Sequence, residues 1–431
     1  MTFGPVDAVD VDPDRARVYE EGWQSWSPTG WYPAAQTSPR PRERWQHLMR
    51  FRPGSELPPH GFQGSGLLVV DPGTGVPARI YGAETATTEV PTIRAELRGS
   101  RLVVSSDGPV LTDEAADGAA GLAGFGDRFA AAAGVGALRP APTVWCSWYR
   151  YFLDVTEADI MENVRAVVEQ ELPVDVIQVD DGWQAGIGDW TTLSGRFASL
   201  DGLAARIRDA GLRAGIWLAP FTVGSASRLA RDHPDWLVGD GGTNWGQQLA
   251  GLDLTHPGAR AYLTEVFTTL REAGFSYYKL DFLYAGAVPG DRHAPVSPVE
   301  AYRSGLELVR GAVGPDAYLV GCGAPILPSV GLVDAMRVSP DTFHPEGQDG
   351  SRGLRGAPGA RARAWQHGRL WVNDPDCLVA RPSFAPRAEW AAVVERYGGL
   401  RSCSDRIAEL DDWGLSATRR LLASAPPPRP F

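Results

Sequence analysis

Lys279 and Asp281 stand one residue apart in YYKLDF (277–282), and on a strand both side chains would leave the same face, because strand side chains alternate with period two. An ammonium beside a carboxyl favours the ionised form. An ionised carboxylate in a cleft is the nucleophile that a glycosidase turns on an anomeric carbon. Lys279 is the only lysine in the chain, and all the other basic residues are arginine. Such a chain keeps a lysine where a compact ammonium fits and a planar guanidinium does not. The competing account is an ion pair that merely satisfies an interior.

Asp341 closes DAMRVSPD (334–341), where Pro340 breaks the ladder and sets the acid on a turn, four residues after Arg337. Two carboxyls facing each other at about 5–5.5 Å are the apparatus of a retaining glycosidase, one attacking and one protonating the leaving oxygen. The plainer role for Asp341 is a helix N-cap. Asp180 and Asp181 precede Gly182 and Trp183 at another strand end. Adjacent side chains point apart, so one can bind substrate while its neighbour braces the fold. Paired carboxylates also suit Mg²⁺, but no third acid at suitable spacing and no phosphate loop accompany them, so sugar hydroxyls are the better reading. No metal and no cofactor are expected. The 15 tryptophans exceed what a core needs, and a flat apolar face with a polar edge suits sugar rings.

These residues need elements to hold them. From 143 onward, short apolar strands alternate with amphipathic helices: TVWCSWY (143–149), DVIQVDD (175–181), RAGIWLAP (213–220), YYKLDF (277–282), YLVGCGAP (318–325), DAMRVSPD (334–341), LWVND (370–374) and GGLRSCSD (398–405). That predicts an α/β fold, a (β/α)8 TIM barrel over 141–431, whose strand ends converge on one mouth. Residues 1–112 read as a small N-terminal β domain, with GLLVVDPGTGVPARIYG as two apolar runs split by Asp71, Pro72 and Gly73. The Ala/Gly-rich stretch 113–140 reads as a linker helix.

Composition narrows the partners. In 431 residues, 43% are hydrophobic and 22% charged, and Gly 50 with Pro 35 stays below the low-complexity range, so the chain folds around a core. A net charge of −11 argues against nucleic acid and anionic membranes. The four cysteines show no CxxC pair and read as buried thiols. The acidic start, MTFGPVDAVDVDPD, is unlike a signal peptide, and a cytoplasmic location is expected. The partner is a small neutral molecule; oligomeric state is left open.

DVIQVDDGWQ, RAGIWLAPF, YYKLDF, DAMRVSPDT and LWVNDPDC, in that order on successive strands, resemble the α-galactosidase (melibiase) group of retaining glycoside hydrolases, family 36. The resemblance covers 143 to about 405, and GWQSWSPTGW (22–31) is similar to the family's aromatic segment that reaches the barrel mouth from the β domain. It implies Asp281 as nucleophile and Asp341 as acid/base. Asp180 and Asp181 match the pair that binds galactose hydroxyls, the axial 4-OH included, and Lys279 and Arg337 match flanking hydroxyl binders. Cys322 matches a pocket-lining cysteine. Trp148, Trp183 and Trp217 stand as pocket walls or as barrel packing, and Trp26 or Trp23 as the aromatic from the β domain. The β domain is shorter than the large sandwich of long members, and VGCGAPILPSVG (320–331) lacks the run of consecutive glycines of the common α-galactosidases. The expected activity is hydrolysis of terminal α-linked galactose from small glycosides. α-N-acetylgalactosaminidase, a transglycosylase of the raffinose-synthase kind and a non-catalytic sugar-binding barrel stay open.

Overall fold

A computed structural model describes residues 2–344 and 346–427. Two antiparallel sheets come first. One pairs Gly4–Asp10, Arg101–Ser106, Thr92–Arg98 and Phe62–Ser65; the other pairs Gly30–Pro33, Arg17–Glu20, Leu67–Asp71, Ala78–Gly82 and Leu111–Ala115. Leu68 and Val70 face Phe62, Ile93, Leu102 and Val104 inside the sandwich, whereas Leu67, Val69 and Ile80 join the core shared with the barrel. This sheet is therefore buried on both faces, which is why LLVV is an unbroken apolar run instead of an alternation.

The segment read as a linker helix holds a packed helix, Gly118–Ala132, capped by the Asp117 carboxylate on the amide of Ala120 at 2.8 Å. The last antiparallel strand runs past 112 to Ala115, so the connecting element is shorter than 113–140. Its low content of large residues reflects close approach, since a Cβ on Gly118 would lie 2.3 Å from Trp31 and one on Gly121 2.7 Å from Ile80. Leu122, Phe125 and Phe129 do the remaining burying.

Eight parallel strands then form the barrel: Val144–Cys146, Val176–Val179, Arg213–Leu218, Phe275–Leu280, Tyr318–Gly321, Ala335–Arg337, Val372–Asp374 and Ser402–Cys403. Leu378 closes the ring, its amide donating to Ser402 O at 2.8 Å and its carbonyl accepting from the amide of Ser404 at 3.0 Å. Inside, Tyr277 and Tyr318 stack 5.9 Å apart with Val144, Val176, Val320, Ala335, Val372 and Leu400 as a plug. With period two, Tyr277 in this plug, Lys279 and Asp281 rise on one interior face toward the mouth. Between the third and fourth strands lies an unforeseen three-stranded antiparallel sheet, Thr222–Gly224, Gln247–Leu252 and Leu237–Asn244. Its glycines (VGDGG) blur the alternation that marks a strand.

The two parts are joined through GWQSW. Ser25 N donates to Ala324 O at 3.1 Å and Ile326 N to Trp23 O at 2.9 Å, so this segment lies as an edge strand beside the end of the fifth barrel strand. Arg363, fully buried, uses all five of its N–H groups there: Nε to Glu21 (2.7 Å), Nη1 to Ser25 O (2.8 Å) and Val338 O (3.0 Å), Nη2 to Gln24 O (3.1 Å) and Thr29 Oγ1 (2.6 Å). Removing one partner of a buried pair leaves the other charge uncompensated. Glu21→Gln is expected to cost about 3 kcal/mol of unfolding free energy by urea titration, and a change below about 1 kcal/mol, the scale of an exposed pair, would contradict this reading of the junction.

Candidate active site

The C-terminal ends of the barrel strands bring Asp180, Asp181, Trp217, Lys279, Asp281, Cys322, Arg337 and Asp341 to one mouth. Lys279 and Asp281 share a face, yet the direct partner of the ammonium is Asp180: Lys279 Nζ donates to its Oδ2 at 3.0 Å. The inward rows of the second and fourth strands meet across the narrow interior, which same-strand spacing cannot reveal. Gln178 Nε2 (2.5 Å) and Cys146 Sγ (3.3 Å) donate to the same oxygen, and the amide of Asp181 to Oδ1 at 3.0 Å. These donors, an ammonium among them, surround Asp180 as no metal ligand would be surrounded. Among the described residues no group of His, Cys, Asp and Glu could hold a metal ion.

Asp281 accepts from Trp217 Nε1 at 3.1 Å, from the Phe282 amide at 2.8 Å and from the Cys322 thiol. Burial drives its pKa above the usual carboxylate range, Lys279 and the hydrogen bonds pull it back only in part, and the charge of Asp341 raises it further. Lys279 favours the ionised form, as expected, against the larger effect of burial. The ammonium opposes desolvation without overcoming it. Lys279 itself loses to burial but gains more from Asp180, so its pKa is raised well above the ordinary value.

Asp181 accepts from Gln184 Nε2 at 2.6 Å and from Trp245 Nε1 at 2.8 Å. Burial pushes its pKa up to about 6, against those two hydrogen bonds, with Asp180 and Asp281 adding to the rise. Trp245 escaped the sequence reading because it sits in the inserted sheet, far from any barrel strand. It occupies a two-residue hairpin turn with Gly246, at φ 51° and 68°, a primed turn in which tryptophan is an unusual choice. That turn aims the indole N–H at Asp181.

On the opposite side, Asp341 is half-exposed and accepts from Arg337 Nη2 at 3.1 Å. The helix-cap reading of Asp341 fails: no helix starts there, and the chain continues as a loop. The same guanidinium nitrogen binds Asp376, which also accepts from the Tyr149 hydroxyl and from Thr342 N and Oγ1, both at 2.8 Å. Burial raises the Asp376 pKa to about 6 although Arg337 lowers it. Arg337 is 2% exposed and its Nε meets no described acceptor. Asp376 carries φ 98°, a conformation that non-glycine residues adopt only when the surroundings impose it. Its strand end, NDPD, offered a signal as a polar cluster at the rim.

The tryptophans separate. Trp217 lies beside Asp281 and packs edge-on to Trp245 at 6.3 Å. Trp183 is fully buried and its Nε1 donates to Trp217 O at 2.9 Å, so it supports Trp217 from behind and does not wall the mouth. Trp148 packs on Phe152 at 5.2 Å, and none of its described contacts reaches the carboxylates. Trp26 stands edge-on to Phe282 (4.9 Å) and Tyr284 (5.9 Å), while Trp23 is buried at the junction under Arg52. Trp26 is therefore the aromatic contributed from the β domain. Cys322 is fully buried against Asp281, as a donor beneath the pocket.

Lys279→Arg should lower kcat/KM by about 10²-fold or more, because the wider guanidinium displaces Asp180 or Gln178 from a contact already crowded by three donors. A loss of only a few-fold would show the space to be ample. On the expectation that Asp181 receives a sugar hydroxyl, its carboxylate is the stronger acceptor, and the free carboxyl is only about half ionised near pH 6. Galactose as an inhibitor should then bind about tenfold more weakly at pH 5 than at pH 7. Asp181→Asn should remove that slope; an unchanged slope in the variant would assign it to another group.

A family profile described as Melibiase matches residues 134–295. Alpha-galactosidase AgaA of Geobacillus stearothermophilus is 29% identical over 154 residues, 33% of this chain and 21% of that protein. Alpha-galactosidase C of Emericella nidulans is 31% identical over 165 residues, 32% of this chain and 21% of that one. The chain thus spans about a fifth of the length of these curated relatives, 21% in each. Among solved structures, the α-galactosidase TtGalA of Thermus thermophilus in complex with p-nitrophenyl α-D-galactopyranoside superposes with TM-score 0.79 at 27% identity, covering 98% of this chain and 92% of that one. Its complex with stachyose gives 0.79 at 29%, covering 96% and 92%. With the barrel motifs in order and nearly the whole chain superposed, the protein is similar to the α-galactosidase-like melibiase group, glycoside hydrolase family 36.

Proposed function

We propose that the protein is a retaining α-galactosidase that releases terminal α-linked galactose from small oligosaccharides or glycosides, working in the cytoplasm. The observation that carries this reading is the pairing of the buried Asp281, braced by Trp217 and Cys322, with the more exposed Asp341 on Arg337. In the first step Asp281 attacks the anomeric carbon, the glycosidic bond breaks, and Asp341 gives its proton to the leaving oxygen. In the second, water attacks the glycosyl-enzyme ester while Asp341, now ionised, takes its proton and Asp281 departs as carboxylate. Asp180, Asp181, Lys279 and Arg337 receive ring hydroxyls, with Trp217, Trp245 and Trp26 as walls. TtGalA, similar over nearly its whole length, supports the choice of galactose. Aryl α-glycosides varied at the 2- and 4-positions separate galactose from N-acetylgalactosamine.

The two carboxylates have separable signatures. Asp341→Ala should cleave an activated aryl galactoside, whose leaving group needs little protonation, and added azide should yield the α-linked azide. Asp281→Ala should lose all turnover, and azide should enter the vacated face to give the β-linked product. Product configuration read by NMR tests both: swapped configurations would exchange the roles, and no rescue in either variant would speak against double displacement.

A further inference from the structure

The loop that follows Asp341 lies, on the hydrolase reading above, beside the departing group, because the acid must touch the leaving oxygen. That loop returns through Phe343 pairing with Leu354, and the amide of Arg355 donates to Thr342 O at 2.9 Å, next to the acid. Arg355 is half-buried, and among the described residues its side chain has no carboxylate and no hydrogen-bond acceptor. Arg50, in the N-terminal part of the chain, is also half-buried. Its Nε donates to the carbonyl of Trp26 at 3.2 Å, and its two Nη groups donate to no described residue. Arg50 and Arg355 are near enough to repel: burial first, then the charge of Arg355, holds the Arg50 pKa below its ordinary value. His344, three residues beyond the acid, is held low by burial and by Arg355, Arg352 and Arg50, against the single opposing charge of Glu346. Of these cations only Arg352 has a carboxylate partner, Glu346 at 2.9 Å.

The chain is acidic, with 52 acids to 41 bases, and the buried Arg337, Arg363, Arg369 and Arg381 each hold a carboxylate, while the buried Arg401 gives its guanidinium to backbone carbonyls. Two half-buried guanidiniums that repel each other gain nothing for the fold. Both are attached to mouth residues, one to Trp26 and one to the neighbour of Asp341, and their free N–H groups form the forked donors that suit oxyanions.

We propose that Arg50, Arg355 and His344 form a leaving-group subsite for an anionic oxygen group, a phosphate or carboxylate borne by the alcohol or sugar that is released. The subsite makes the preferred substrates galactosides of acidic aglycones, and galactose recognition is left to the carboxylates below.

The full chain is assayed on α-galactosylglycerol, on the same compound carrying a 3-phosphate, and on α-galactosylglycerate, three alkyl leaving groups of similar reactivity. The expected kcat/KM for at least one anionic substrate exceeds that of the neutral one by about tenfold at low salt and approaches it as ionic strength rises. The phosphate and carboxylate arms decide which anion is favoured. In Arg355→Gln or Arg50→Gln the anionic-to-neutral ratio should fall at least threefold, and being a ratio it is insensitive to partial loss of folded protein. A wild-type ratio at or below one, or a ratio that neither variant moves, overturns the proposal. Turnover of the neutral galactoside separately reports the hydrolase reading. Should no galactoside be cleaved, tryptophan fluorescence titrated with glycerol 3-phosphate reads the same cluster: saturable binding weakened in Arg355→Gln supports it, and absent or unaltered binding overturns it.

Discussion

The contact between Lys279 and Asp180 is the one on which the mouth depends, because it is where a buried excess of negative charge is first compensated. Among the described residues, Asp180 is ion-paired with Lys279, Asp341 and Asp376 share Arg337, and Asp181 and Asp281 have no ion-pair partner. Five carboxyls cannot all be ionised cheaply in a low-dielectric pocket, and the cost shows in the raised pKa values of Asp181, Asp281 and Asp376. A pocket in this condition favours any positive charge that develops within it. On the hydrolase reading proposed above, an anomeric centre losing its leaving group would develop such a charge, and the cost of burying the acids would become differential stabilisation of the transition state.

Neutral donors do the rest of the positioning. Three indole N–H groups at the mouth each meet a single acceptor, so that Trp217 holds Asp281, Trp245 holds Asp181, and Trp183 holds the backbone of Trp217. Three positive φ angles, at Phe282, Trp245 and Asp376, occur in residues that touch these carboxyls or are one of them. Left-handed backbone at a bulky residue costs of order 1–3 kcal/mol, and it persists only where surrounding contacts over-determine it. Here those contacts are the hydrogen bonds to the acids.

Much of this was legible in the residues. Strands buried on both faces announce themselves as short apolar runs, and seven of the eight barrel strands lie within the runs so identified, while the fourth begins two residues earlier, at Phe275. Period two placed Lys279 and Asp281 together, and strand ends gathered Asp180, Asp181, Arg337 and Asp341. What escaped depends on tertiary geometry. The partner of Lys279 follows from how strands two and four face each other across the barrel. Trp245 arrives on an insertion whose glycines mask its strands. Trp148 and Trp183 share composition and chain position with true wall residues, and only packing shows that one lies against Phe152 and the other behind Trp217. The choice between Trp26 and Trp23 is likewise settled by which side of the edge strand each ring leaves.

The β domain is inseparable from the chemistry for a reason that lies in Arg363. One guanidinium binds Glu21, the carbonyls of Gln24 and Ser25 just before Trp26, and the carbonyl of Val338, the residue after Arg337. The aromatic over the mouth and the strand end that carries Arg337 and Asp341 are therefore referenced to the same buried point. A shift of the sandwich against the barrel would move Trp26 and Asp341 together instead of opening a gap between them. Rigid coupling of this kind asks for a fully satisfied charge pair, since any unpaired donor in that position would offer the junction an alternative arrangement. All five N–H groups being engaged is thus a condition for a single mouth geometry, in which the segment that carries Trp26 and the strand end that carries Asp341 keep one relation to each other.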